Sequence, residues 1–216
     1  MIRYSSLLIA TVVALAGVAS TGQAGVQVSV SADQDGVKSF YLAIGEQYRV
    51  PEREVVVVRE RRIPDDELPV VFFLARHAEV QPDVIVTMRL GGQSWMDIAL
   101  HYHLSPEIFY VNFDRDPGPP YGRAWGHFKK HKRSEWKEIR LEDDDIVNLV
   151  DLKFVSERYG CTPIEVVKMR ERESSFVVIH REVKAEKEHS KHGSKSEGSS
   201  EHGHGHGKGK HKGEHE

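Results

Sequence analysis

Apolar positions recur in this chain with one spacing, four times over. The stretches are IGEQYRVPEREVVVVR (44–59), LARHAEVQPDVIVTMR (74–89), IALHYHLSPEIFYVN (98–112) and VSERYGCTPIEVVKMR (155–170). The first position is apolar in every copy: Ile44, Leu74, Ile98, Val155. The second is small: Gly45, Ala75, Ala99, Ser156. The seventh is Val50, Val80, Leu104 or Cys161, and the twelfth is Val55, Ile85, Phe109 or Val166. Apolar residues three and four apart make one buried helix face. Pro82, Pro106 and Pro163 fit the first turn of a second helix, where a missing N–H costs nothing. Ser105 and Thr162, one place earlier, are good N-caps. Arg59, Arg89 and Arg170 suit the last turn through the helix dipole. The pattern predicts a mainly α fold of four helical hairpins sharing one core, since a single hairpin buries too little. Two places also read as strand. The β-branched run 55–58 is one, and the alternating stretch 26–31, a short strand or a lead-in, is the other.

The ends are different material. Residues 7–19 (LLIATVVALAGVA) form an uncharged apolar run behind Arg3, with small residues following to position 24. This predicts a secretory signal over 1–24, cleaved after Ser20 or Ala24; the run is short for a membrane span. No transmembrane segment is expected after cleavage, and the address is secreted or periplasmic. Residues 184–216 hold seven Lys, six Glu, seven His and seven Gly, with Ala185 the one apolar side chain. Nothing there offsets the entropy of ordering, so a disordered tail is expected. A lead-in (25–39) and one hairpin domain (40–183) lie between.

Copies three and four start 57 residues apart, against 24 for copies two and three. The extra chain makes an insertion over 113–144. It opens with PGPPYG (117–122), which forbids helix, and continues as RAWGHFKKHKRSEWKEIR (123–140). Seven basic residues there face only Glu135 and Glu138. Basic side chains interleaved with aromatic rings bind polyanions, the charges on phosphates or carboxylates and the rings on sugars or bases. The candidate ligand-binding residues are Tyr121, Arg123, Trp125, Lys129, Lys130, Lys132, Arg133 and Trp136. The alternative is that the rings pack the insertion onto the hairpins and the charges are merely solvated.

The string RLGGQSWMDIALHYHLSPEIFYVN (89–112) resembles the front of a LysM module. The matching elements are Gly92-Gln93-Ser94, Ile98-Ala99, Tyr102, the turn Leu104-Ser105-Pro106-Glu107, and Asn112. The resemblance implies a small βααβ glycan-binding unit, although Phe113–Pro117 stands where a closing strand would follow. The whole chain is similar to exported bacterial proteins of unassigned function, which implies an address and no chemistry.

Composition adds exclusions. The chain has 216 residues, a formal net charge of −3 and one cysteine. A single cysteine excludes an intramolecular disulfide and any Cys-based metal cage. The near-neutral balance excludes a whole-chain polycation. No GxSxG, HExxH, P-loop or dinucleotide fingerprint is present. His202, His204 and His206, alternating with glycine, are candidate ligands for zinc or nickel; a solubilising, pH-responsive tail is the simpler reading. Asp65-Asp66-Glu67 and Asp143-Asp144-Asp145 read as helix-start acids. The function expected is a non-catalytic envelope or periplasmic binding protein for a cell-wall glycan or other anionic polymer, with no specific DNA binding. Metal buffering through the tail is the alternative, and an enzyme whose residues converge only in three dimensions comes after it.

Overall fold

Each repeated stretch becomes a helix, a turn and a second helix in the computed structural model of the chain. The structure describes the backbone of residues 24–173 and 175–196, and the side chains of 34–173 and 175–190. Two compact units divide between residues 35 and 36. The hairpins pair α1 (Ala24–Tyr48) with α2 (Glu52–Glu60), and α3 (Leu68–Ala78) with α4 (Pro82–Leu90). Next, α5 (Trp95–His101) pairs with a short 3-10 helix, Pro106–Phe109. The insertion carries α6 (Gly122–Lys130) and a 3-10 helix, Arg133–Glu138. The last pair is α7 (Asp143–Tyr159) and α8 (Pro163–Arg172), followed by α9 (Phe176–Ser196). A 3-10 helix, Asp65–Glu67, links the first two hairpins.

The shared core is made from the repeat columns. Ile44, Leu74, Ile98 and Val155 are fully buried, and so are Val55, Ile85, Phe109 and Val166. One position per copy explains the turns. Arg49, Glu79, His103 and Gly160 all stand sixth in their stretch, and all have positive φ, at 60°, 56°, 57° and 65°. That left-handed residue ends the first helix. It lets the seventh N–H donate back to the second carbonyl: Val50 to Gly45 (2.9 Å), Val80 to Ala75 (3.0 Å), Leu104 to Ala99 (2.9 Å). The eighth residues, Pro51, Gln81, Ser105 and Thr162, are extended N-caps of the second helix. The Ser105 hydroxyl accepts from the Glu107 N–H and that of Thr162 from the Glu165 N–H. The small second column follows from the same turn, since a Cβ on Gly45 would sit 2.8 Å from the Val50 carbonyl oxygen.

The run 55–58 is helical within α2, because Val55 and Val58 fall on one buried stripe. Among the described residues there is no strand, and 26–31 falls inside the range of α1. At the C-terminal side α9 runs past Lys184 to Ser196. Phe176, Ile179 and Val183 anchor its first half, and helix-favouring Ala, Glu and Lys residues extend it.

A buried polar group fastens α9 to α1 and α7. His180 is fully buried. Its Nε2 lies 3.1 Å from Ser39 Oγ and its Nδ1 2.7 Å from the Tyr159 hydroxyl. Lys184 donates to Ser39 Oγ at 2.9 Å. A neutral ring, with one donor and one acceptor nitrogen, satisfies both contacts. Burial, then the charges of Lys184 and Arg158, push His180 down to about 4.

Gly160→Ala is expected to destabilise by about 1 kcal/mol, because open space surrounds the missing Cβ and only the backbone angle objects. Glu79→Gly, at the equivalent turn, is expected to stabilise; denaturant melts check both signs. His180 has a folded pKa below its ordinary 6.5. Its contribution is therefore fully present above pH 6.5 and is lost as pH falls toward 4. The loss amounts to about 3 kcal/mol. Stability measured against pH is expected to show this slope, and His180→Gln to lack it.

Candidate functional site

The insertion attaches through an apolar stripe and its rings: α6 turns Ala124 and Phe128, four residues apart, inward, and Trp136 follows from the 3-10 helix. Phe128, Trp136 and Tyr110 form a cluster with ring centroids 4.6–5.2 Å apart. Trp136 Nε1–H donates to the carbonyls of Phe128 (3.1 Å) and His131 (3.3 Å). Tyr121 packs on Phe113, with centroids 6.1 Å apart. Tyr121 is 1% exposed and Trp136 8%. Both rings are thus covered by the protein itself. Trp125 is half-buried and carries the Lys129 ammonium 5.6 Å from its ring centre.

The cations divide in the same way. Arg123 donates from Nε to both oxygens of the buried Asp145, each at 3.0 Å. Arg133 is paired with Glu107 and lies over the Trp136 ring. Lys129, Lys130 and Lys132 are exposed and form no ion pair among the described residues. Lys129 and Lys130 close α6, where the helix dipole favours positive charge. The structure thus brings together an exposed row of lysines with one available ring, Trp125, beside it.

On another side the insertion roofs a polar cavity of about 490 Å³. Pro120 and Arg123 meet Asp66 and Glu67 there, with Asp144, Asp145 and Asn148 of α7 and Arg170 of α8. Asn148 donates to the Asp144 carbonyl (2.7 Å) and accepts from Arg170 Nε (3.3 Å). Nearby, Asp151 is completely buried and neither of its oxygens has a hydrogen-bond partner. Burial, reinforced by Asp66, holds its carboxyl well above the usual carboxylate range, against the pull of Arg170. Burial also raises Asp66. The Tyr121 hydroxyl is buried and unpartnered too. Sequence reasoning passed over Asp151, although an acid inside IVNLVDLKFV (146–155) was a visible break in an apolar face.

The other acids, the histidines and the cysteine are dispersed. The acids at 65–67 and 143–145 serve mainly as ion-pair partners. Arg59 pairs with Asp65, and Arg89 with both Glu67 and Asp143. His77 lines a cavity of about 400 Å³ with Glu107, Lys153 and Glu157, while His101 does not. His131 Nδ1 lies 2.8 Å from the carbonyl of His127. Cys161 is half-buried and burial raises its thiol, which disfavours the thiolate. Among the described residues no group of three or more side chains could hold a metal ion. His202, His204 and His206 lie outside the described residues. No described helix is long and apolar enough to cross a membrane. No family model matches this chain, and no curated protein or solved structure matches it.

Proposed function

We propose that this is an exported, non-catalytic protein of the envelope or periplasm that holds an anionic polymer, a cell-wall glycan first, on its insertion. One observation carries the reading. Lys129, Lys130 and Lys132 stand exposed and form no ion pair among the described residues, on a segment that a buried aromatic cluster holds in place. Charges fixed on a rigid base lose little freedom when a polyanion docks. Trp125 offers a ring face to a sugar beside them, whereas Trp136 serves as the anchor from below. Arg123 and Arg133 keep the segment in register through Asp145 and Glu107. The LysM-like string and the signal-like N-terminus favour a glycan of the cell wall over nucleic acid.

The test is co-sedimentation of the protein with purified sacculi, zinc chelated. Pelleting is expected to fall as salt rises. Reversing Lys129, Lys130 and Lys132 to Glu is expected to weaken binding by at least about tenfold; unchanged pelleting sinks the reading. Trp125→Ala is expected to cost binding, with a smaller loss of stability than Trp136→Ala. Trp136→Ala is expected to cost stability, by about 3 kcal/mol.

A second reading rests on the alternation of His202, His204 and His206 with glycine. There the tail holds zinc or nickel, with an affinity limited by the lack of a second shell. Removing residues 197–216, which leaves α9 whole, is expected to abolish metal uptake in a calorimetric titration. Unchanged stoichiometry would refute it.

A further inference from the structure

We propose that the cavity walled by α1, α3, α7 and the 3-10 helix Pro106–Phe109 binds the carboxylate of a small aromatic acid. The proposal does not rest on the polymer reading, because none of the exposed lysines of the insertion lines this cavity. Its volume of about 400 Å³ suits a compact organic molecule. Four side chains able to donate a hydrogen bond line it from three helices. Tyr48 ends α1, Arg76 and His77 stand in the last turn of α3, and Lys153 lies on α7. None of the four makes a side-chain hydrogen bond or an ion pair among the described residues. Arg76 and His77 are exposed to an incoming ligand, and Lys153 is half-buried. An ammonium drawn out of water without a partner is unfavourable, and a bound carboxylate offsets that cost.

The acids of the lining do not answer these donors. Glu107 is paired with Arg133, which lies outside the lining, and Glu157 accepts from Gln47 Nε2 at 3.0 Å. With Glu107 compensated from outside, Arg76 and Lys153 face one remaining carboxylate, that of Glu157. Burial, then the charges of Lys153 and Arg76, push His77 below its ordinary value, so its ring adds no charge at neutral pH. The cavity thus holds one positive charge in excess, which fits a monoanion. Burial also pushes Lys153 down, against the pull of Glu157, and it keeps the Tyr48 phenol protonated, hence a donor.

The apolar half of the lining is the second, independent observation. Phe73, Phe154, Ile108 and the ring of Tyr48 share the cavity with the donors. Tyr48 stacks with Phe72 and Phe154, its centroid 6.2 and 6.4 Å from theirs, and Phe73 meets the His77 ring at 4.4 Å. A flat apolar ring packs well against such a wall. An inorganic anion would leave the wall uncovered, and a cation would meet Arg76 and Lys153. A ring that carries a carboxylate satisfies both halves at once.

The experiment is titration of the full-length chain with benzoate at neutral pH, followed by NMR of the His77 ring protons, with benzamide as the neutral counterpart. Saturable binding of benzoate is expected, and benzamide is expected to bind at least about tenfold more weakly. The bound charge offsets Arg76 and Lys153, so the pKa of His77 is expected to rise in the complex. Arg76→Gln and Lys153→Met are each expected to weaken benzoate binding at least about tenfold. Arg76 is exposed, so its variant keeps the test decisive even if Lys153→Met fails to fold. Reversing Lys129, Lys130 and Lys132 to Glu is expected to leave benzoate binding unchanged, so this proposal and the polymer reading fail separately. Absence of saturable binding overturns the proposal. So does equal affinity for benzamide, an unmoved His77, or full affinity in Arg76→Gln.

Discussion

The architecture depends on one backbone event repeated four times: a single residue leaves the right-handed helix with positive φ. At Arg49, Glu79, His103 and Gly160 that event ends the first helix of a hairpin. The reversed chain delivers the seventh residue's N–H onto the second residue's carbonyl at Val50, Val80 and Leu104, and in every copy the second helix starts two residues later. Three of the four positions bear a side chain, so the left-handed turn opposes intrinsic preference there. It is held because the first and twelfth residues on either side are fully buried in the common core. Packing across the hairpin outweighs a local cost of about 1 kcal/mol per turn.

The arginine that closes three of the copies binds the hairpins to what lies between them. Arg89 shows this most fully. It pairs with Glu67 from the linker before α3 and with Asp143 at the start of α7, and it lies 4.5 Å from the ring centre of the buried Trp95. Arg59 pairs with Asp65, which also accepts the Tyr41 hydroxyl at 2.7 Å. Arg170 reaches Asn148 on α7. Residues suited to a helix dipole thus also tie together segments distant in sequence. The polar cavity lies where these ties meet the insertion, and for that reason it is rich in carboxylates.

The insertion answers a different constraint. A segment with no repeat partner must still be attached, and aromatic rings bring the largest buried area per residue. Tyr121, Phe128 and Trp136 are spent on this, and the lysines are left outside. Burial of the rings and exposure of the charges are two sides of one attachment. The same economy operates at α9, where Phe176, Ile179, Val183 and His180 dock a helix whose remainder is polar.

The sequence alone determined the helical class, the four hairpins, their caps and their buried columns, because these follow from spacings of three and four and from local turn chemistry. It could not separate helix from strand at 55–58, since β-branched propensity and helical periodicity conflict there and the core decides. It did not show which rings of the insertion turn inward, because a ring on a surface and a ring in a core are the same letter. Nor did it disclose the meeting of Ser39, Tyr159 and His180, or of Asp66, Asp151 and Arg170. These groups come from different elements, and only the packing of α7 against its neighbours brings them near one another.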